Sequence, residues 1–589
     1  MGDLSTMKLL YKHIKKDFLA KKTMMAILSL FLIGTSFLHY FVHFSVDKNL
    51  KIYRNLDQSA LAENELKFIN ALEINKVLIR NMSSAMIVVF LLILFLFLTN
   101  TIKKNQAKVG LLQSLGFTTW DIARHTFTLL SVVSWITALI GAFTGFFGSS
   151  ILISAYKKTY MVESLSKGIS FAAFIYPFAW ASLIDIVTLI AYALSANKEV
   201  ALLMKKADSS EGKPGFVEKF IGFFKMKGGY KYKLTLKNIS ELFLLVTAII
   251  TFGIMFVLSV SLLLSSREIM GSQREGREYS YVTEYDEVRN VEESTADGGN
   301  TDTVPPDSTG DISYYLRYNA EIDHNGEKIS YNIIGTDSNN ELFSLYDKKH
   351  NKIDLSNEQG VVLNPELAEN YGIKVGDKLS IEINGRAVEL EATNIARNAG
   401  IKSMYISKEK LAALMDVDNA AYNGIWSNAP LDESASTLYE DKMEALSRDQ
   451  TSNKASAIIN QSIGVATGCL LIFLAIFIGL SGNTESILIF DLLGYDNKRI
   501  NSILLDPYLI VSNIIFFLSI PICIYAARKI QINTSFATGD YMPFQVSGFT
   551  IVYMFVILNL ICFLVRAVFT RKIKKIIEGE KQAEYLSEW

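Results

Sequence analysis

Eight apolar stretches recur along the chain, at about residues 24–45, 82–102, 126–154, 169–195, 239–265, 456–481, 504–527 and 545–569. A helix needs about 20 apolar residues to cross roughly 30 Å of hydrocarbon, so the pattern predicts eight transmembrane helices. The third (TLLSVVSWITALIGAFTGFFGSSILISA) and the seventh (LIVSNIIFFLSIPICIYAA) contain Gly or Pro, which membrane helices tolerate. Between the fifth and sixth stretches the period changes. The segments SYYLRYNAEI, EKISYNIIGT, KLSIEI and AVELEATNI alternate as strands do. In GVVLNPELAENYGIKVGDKLSIEING, Asn364 can cap a short helix with Pro365 in its first turn and Gly372 at its end, and VGDK turns into a strand. SKEKLAALM and residues 432–455 read as helical, whereas the acidic, Gly-, Ser- and Thr-rich stretch 271–311 reads largely as a flexible loop. The predicted fold is a polytopic α-helical membrane protein with an α+β domain at residues 266–455, between helices five and six.

The pattern also repeats. LLQSLGFTTWDI (residues 111–122) returns in altered form as IFDLLGYDNKRI (489–500), each copy directly after an apolar run and each with a Leu-Gly pair at the same offset. Folding the chain in half near residue 220 aligns two units. Each opens on a basic stretch (LYKHIKKDFLAKK or YKYKLTLKNIS), then has one span, an excursion and three further spans. Residues 1–196 form the first unit, with a short outer loop at 46–81. A basic linker occupies 197–238. The second unit comprises helix five (239–265), the large domain (266–455) and helices six to eight (456–570), followed by a tail (571–589). Duplication of this kind in a membrane protein predicts a pseudo-symmetric core. In copy one Val109, Leu112 and Leu115/Gly116 recur at helical spacing, and in copy two Ile487, Phe490 and Leu493/Gly494. Each copy predicts a short helix with one apolar face, ended by a glycine that admits a left-handed turn. Such a face rests on lipid headgroups or on a partner; two copies at equivalent places favour a pair of docking knobs.

Charge orients this arrangement. The 589 residues carry a net charge of only −1, but residues 267–454 hold 35 acidic and 19 basic side chains. The remainder holds 24 acidic and 39 basic ones, which assigns the two parts to different compartments. Lys8, Lys12, Lys15, Lys16, Lys21 and Lys22 place the N-terminus in the cytoplasm. Counting spans from there puts both repeated segments and the tail inside and the acidic domain outside. Cys469, Cys523 and Cys562 all fall in apolar runs, so the outer domain has no disulfide. That is compatible with the plasma membrane of a Gram-positive bacterium. The first apolar run is too long for a signal-peptide core and reads as a retained anchor.

KVGLLQSLGFTTWDI (residues 108–122) resembles the cytoplasmic signature of FtsX-like permeases of ABC transporters, the type VII or mechanotransmission class. In that family the segment is a coupling helix seated in a groove of the ATP-binding subunit. The resemblance carries this role to Val109, Gly110, Leu112, Leu115 and Gly116, and in the second copy to Leu493 and Gly494. Lys108 stands where the family has an acid, and Gln113 and Asp491 where it has arginine. Two units in one chain, with one large domain in the second, resemble the bacitracin-efflux type, which has ten spans. The passage around Asn364 is similar to the core outer domain of macrolide-exporter-type permeases. The resemblance implies partnership with two copies of a separate ATPase, which binds ATP and magnesium. It also implies amphiphilic substrates such as antimicrobial peptides, lipids or lipopeptides, and thus antimicrobial-peptide resistance. A rival reading is a mechanotransmitting scaffold that controls a cell-wall hydrolase or a sensor kinase and transports nothing.

The sequence has no GxxxxGK[ST], HExxH or GxSxG motif, which predicts a non-catalytic subunit without a cofactor of its own. Nothing in it points to nucleic acid. Asp185, inside span four, is a candidate intramembrane polar site or a helix–helix contact. His39 and His43 share one helical face at a spacing able to hold a metal, but no third ligand stands nearby, so the pair reads as interfacial, beside an aromatic belt.

Overall fold

The computed structural model describes residues 22–56, 61–162, 164–196, 239–290, 311–324, 327–338, 340–432, 434–482, 484–538 and 541–587. The basic stretch 10–22 (all but its last residue) and the linker 197–238 lie outside them. The chain divides into two compact units.

The first unit takes residues up to 257, 460–526 and those from 548 onward. Its opening half contains α1 (Lys22–Arg54), α2 (Glu63–Lys104), α3 (Gln106–Ser114), α4 (Thr119–Tyr160), a 3-10 turn (Phe171–Phe174) and α5 (Ile175–Ala196). Next comes α6 (Ile239–Arg274); α7 (Pro365–Glu369) and α8 (Lys408–Met415) belong to the second unit. The chain then returns through α9 (Tyr439–Gly482), α10 (Thr484–Leu492), α11 (Asn497–Leu504), α12 (Asp506–Thr538) and α13 (Gly548–Ser587).

Among the described residues, six helical segments are long and apolar enough to cross a membrane: Met25–Arg54, Thr119–Tyr160, Phe171–Ala196, Leu242–Arg274, Asn497–Phe536 and Gly548–Glu578. The predicted spans two and six fall within α2 and α9, helices of 42 and 44 residues. Their apolar stretches are only Met86–Thr99 and Gly464–Leu480. Both helices open on long polar leads, ENELKFINALEINK and YEDKMEALSRDQTSNK. These two helices hold equivalent positions in the repeat, so their likeness is itself part of the duplication.

Glycines set how closely the first helix of each half meets its neighbours. A Cβ added at Gly141 of α4 would lie 2.4 Å from Ser36 Cβ, and one at Gly145 would lie 2.9 Å from the Phe41 backbone nitrogen. In the other half, a Cβ at Gly253 of α6 would meet Cys523 Sγ of α12 at 2.6 Å. Gly464 and Gly468 of α9 similarly abut Met255 and Phe252 of α6. Small residues at such crossings let backbones approach where lipid supplies no hydrophobic drive.

The second unit, residues 258–459 and 527–547, contains eleven strands among the described residues. They are β1 (Tyr281–Asn290), β2 (Ile312–His324), β3 (Glu327–Thr336), β4 (Leu345–Tyr346), β5 (Lys352–Ile353) and β6 (Val361–Leu363). There follow β7 (Lys378–Ile383), β8 (Arg386–Ile395), β9 (Ser403–Ser407), β10 (Ala421–Ser427) and β11 (Ser436–Leu438). Nine form one sheet in the order β11-β1-β10-β2-β3-β9-β6-β8-β7, and β7 pairs back to β2. Six strands therefore close into a ring, with β10, β1 and β11 as an extension. Alternation fills the ring: Leu379, Ile381 and Ile383 of β7 point inward with Leu316, Ile322, Ile333 and Met404. Each such side chain contributes about 1.5–3 kcal/mol on burial.

The predicted strands and SKEKLAALM are present as read, with Asn364 accepting from the Glu366 N–H as N-cap and Gly372 at φ 75°. Of 432–455, only the part from Tyr439 onward is helical, because Ser436–Leu438 pairs with β1 as β11. The expected loop at 271–311 needs correction. α6 runs to Arg274, and YVTEYDEVRN is strand β1, paired with β10 from Tyr281↔Ser427 to Asn290↔Ala421. Its Val282 and Tyr285 are buried while its acidic and basic residues at 286–289 face outward. Charge on the outer face hid the alternation.

Helix ends are fastened into this unit. Gln273 Nε2 of α6 donates to the Ala399 carbonyl at 2.8 Å, Arg277 to the Asn398 carbonyl at 2.8 Å, and Arg397 pairs with Glu268. The Tyr439 hydroxyl, at the start of α9, donates to the Gln273 carbonyl. The segment after α12 is tied as well: Tyr541 donates to Glu369 at 2.9 Å, and Asn370 to Ser535 at 3.0 Å.

Lys408, at the start of α8, is buried. Burial pushes its ammonium below the ordinary lysine range, opposed by Asp337. A lysine with a depressed folded pKa destabilises fully below that pKa, and the cost disappears as pH rises to the unfolded value. Lys408→Met is expected to raise stability at neutral pH by about 1 kcal/mol, with a gain that shrinks in alkali. Thermal unfolding at two pH values checks this; an unchanged midpoint at neutral pH contradicts it.

Candidate docking site

The two repeated segments fold alike, bond for bond. In copy one the Leu115 N–H donates to the Leu111 carbonyl, Gly116 to Gln113 and Phe117 to Leu112, at 3.1, 3.0 and 3.2 Å. In copy two Leu493 donates to Ile489, Gly494 to Asp491 and Tyr495 to Phe490, at 3.0, 2.9 and 3.0 Å. Every donor and acceptor is displaced by the same 378 positions. Gly116 and Gly494 end α3 and α10 at φ 92° and 79°, where only glycine sits without strain.

The next helix starts at matching positions too. Thr118 accepts from the Asp121 N–H at 3.2 Å while the Asp121 carboxylate accepts from the Thr118 N–H, a reciprocal capping box. Asp496 accepts from the Arg499 N–H at 3.0 Å. Ile122 and Ile500, one turn on, are both buried, as are Val109 and Ile487 two turns before the glycines.

Each loop exposes an apolar tip. Leu111 and Leu115 stand out from copy one, Leu115 at 68 % exposure, with Trp120 beside them. Ile489, Leu492 and Leu493 stand out from copy two, Leu493 at 66 %. Beneath the second tip Phe490 packs on Tyr495, over which Arg499 lies. Large apolar side chains exposed together at a rigid turn make each tip a candidate contact surface, for lipid headgroups or for a partner.

The comparison with known families falls on this half of the repeat. Residues 462–576 match the family described as FtsX-like permease C-terminal, a stretch that includes the second copy and α10 to α12. Residues 462–576 thus carry an FtsX-like permease domain. No curated protein matches the chain. This domain supports a permease subunit of an ABC transporter; FtsX-like permeases are non-catalytic membrane subunits that generally work with an ABC ATPase. Copy one of the permease lies outside the matched residues, and there the identical hydrogen-bond pattern carries the likeness.

The predicted apolar face of the permease divides in two. Val109, Gly110, Ile487 and Phe490 are buried and hold the loops down, Leu112 is half-buried, and Leu115 and Leu493 are exposed with Gly116 and Gly494. A three-residue step drifts about 60° round a helix, so Leu115 lies about 120° from Val109. Leu111 and Leu115, four apart, share the outer face. Leu111, Trp120, Ile489 and Leu492 were the missed members, and i, i+4 spacing ending at the Leu-Gly pair is the signal for Leu111 and Ile489. Gln113 is turned inward: its amide donates to Thr119 Oγ1 at 3.1 Å and to the Ala196 carbonyl at 3.0 Å, tying α3 to α4 and α5.

Asp185 of α5 accepts from the Ser131 hydroxyl of α4, so the polar contact between helices is the observed arrangement. The rings of His39 and His43 meet at a tilt of 46°, with centroids 4.4 Å apart. Among the described residues, no group of three or more His, Cys, Asp or Glu side chains converges as a metal site.

The glycine turns give a direct check on the loops. Gly494→Ala forces a Cβ into the left-handed region and is expected to cost about 1 kcal/mol locally. Protease nicking at residues 489–496, compared with wild type, reads the loosened turn; equal protection contradicts it.

Proposed function

We propose that the permease couples ATP hydrolysis by a separate cassette ATPase to movement of an extracytoplasmic domain, and that this movement handles an amphiphilic substrate. The observation that carries the reading is the pair of equal, rigidly capped loops with exposed leucines at Leu115 and Leu493. Two equal knobs suit two equal grooves, hence two ATPase copies per chain. Two 1+3 units of FtsX type, eight spans in all, place both knobs in the cytoplasm together with the chain ends. In this reading α2 and α9 are spans whose polar leads reach beyond the membrane. The plasma membrane of a Gram-positive bacterium is the expected location. Antimicrobial peptides, lipids and lipopeptides are the substrate class, by family likeness.

Movement has a path to follow. α6 and α9 run from the helical unit into the outer one, where Arg277, Arg397 and Tyr439 fasten them. Tyr541 fastens the α12–α13 connection to the helix at 365–369. This fastening supports mechanotransmission, which also serves the second reading, a scaffold for a hydrolase or sensor kinase. Purification from native membranes in mild detergent, followed by mass spectrometry, tests the first step. A cassette ATPase at about two copies per chain supports the proposal; none, even after crosslinking from cysteines at 115 and 493, overturns it. ATP-driven flux in reconstituted vesicles then separates transport from signalling.

A further inference from the structure

His39 and His43 lie one turn apart on α1, and both rings are buried, at 0 % and 4 % exposure. His39 Nε2 lies 2.9 Å from the Ala173 carbonyl. A carbonyl only accepts, so Nε2 bears the proton and Nδ1 holds a lone pair. His43 Nδ1 lies 3.0 Å from Asp47 Oδ2, which puts a proton there; in the neutral ring Nε2 then holds the lone pair. Neither His39 Nδ1 nor His43 Nε2 has a hydrogen-bond partner, although both atoms are buried. Two buried acceptors without a donor call for an occupant.

We propose that His39 Nδ1 and His43 Nε2 bind one closed-shell transition-metal ion, Zn(II) or Cu(I). The spacing is that of the paired histidines of helical zinc sites, i and i+4 on one face. The second sphere is in place as well. A metal-bound histidine passes its other N–H to a carboxylate or a backbone carbonyl, which orients the ring and raises its basicity. Here one ring has the carbonyl and the other the carboxylate. Asp47 is held in turn by Lys76 at 3.0 Å, so the second sphere is neutral and the ion keeps its full charge. The rings of Tyr40, Tyr176 and Trp180 wall in His39 at 5.2–5.3 Å between centroids. With two protein ligands, one fewer than a catalytic zinc site has, the ion keeps open positions.

The test uses the full-length permease, purified on an affinity tag free of histidine and stripped with a chelator. It is titrated with Zn(II), and with Cu(I) under reductant, against a chromophoric chelator. The expected result is about one tightly held equivalent of one ion, with two imidazole nitrogens at about 2.0–2.1 Å by X-ray absorption for zinc. His39→Gln with His43→Gln removes that equivalent, and Asp47→Asn weakens it by about ten- to a hundred-fold. Failure of the wild-type protein to hold either ion overturns the proposal, whatever the variants do. So does an equivalent that survives in a folded double variant.

Discussion

Leu115→Asp combined with Leu493→Asp is expected to leave the permease folded and to abolish its association with the ATPase. Both leucines are about two-thirds exposed, so folding pays little for the change. At a docking surface an anchoring side chain commonly carries about 2 kcal/mol or more, roughly thirty-fold in affinity for each. A buried aspartate in the groove adds a desolvation penalty. Each single variant should keep one knob and bind partly, which distinguishes two sites from one. Val109→Asp and Ile487→Asp behave differently, since these side chains sit beneath the turns: they are expected to damage folding before binding. Co-purification of the ATPase, with thermal unfolding as the control, reads both. Unchanged retention in the double variant would sink the knob assignment.

Gly145→Leu should be strongly damaging to the first half. A Cβ there already meets the Phe41 backbone nitrogen and Tyr40 Cβ at 2.9 Å, and backbone cannot rotate aside as a flexible side chain can. The crossing of α1 and α4 would have to open, at a cost on the order of 3 kcal/mol or more, beyond ordinary overpacking. Gly34, on the same α1, has nothing within 4 Å of its would-be Cβ. Gly34→Ala is therefore a matched control, expected to be neutral or slightly stabilising because alanine favours helix. Size-exclusion profiles and melting temperatures in detergent compare the two. If Gly145→Leu elutes and melts as wild type does, the close crossing is wrong.

Much of this architecture was legible from period alone. KLSIEI is β7 to the residue, and EKISYNIIGT is β3, because half-buried strands write their alternation plainly. β1 was not legible, since Asp286, Glu287 and Arg289 on its outer face made a strand look like an acidic loop. The repeat was visible from three identities and their surroundings, yet the division of each copy into buried and exposed leucines was not. A three-residue spacing suggests one face, while the helix rotates away from it. The histidine pair was seen and set aside for want of a third ligand. Only coordinates expose the carbonyl and carboxylate that fix both tautomers, because Ala173 lies 134 residues from His39.

The closure of β7 onto β2 restricts how a partner can recognise the β domain. A sheet with a long free edge can be extended by a partner's strand, backbone to backbone, with little regard to side-chain identity. Six strands closed in a ring offer no such edge. On the extension β11 has three residues, and the open side of β1 beyond Thr283 bears Glu284, Asp286 and Glu287. Charge of that kind discourages strand addition and self-association alike. Among the described residues, recognition of this domain therefore falls to side chains and loops. Specificity at the surface of this domain can then be altered by point substitution without disturbing the fold that carries it.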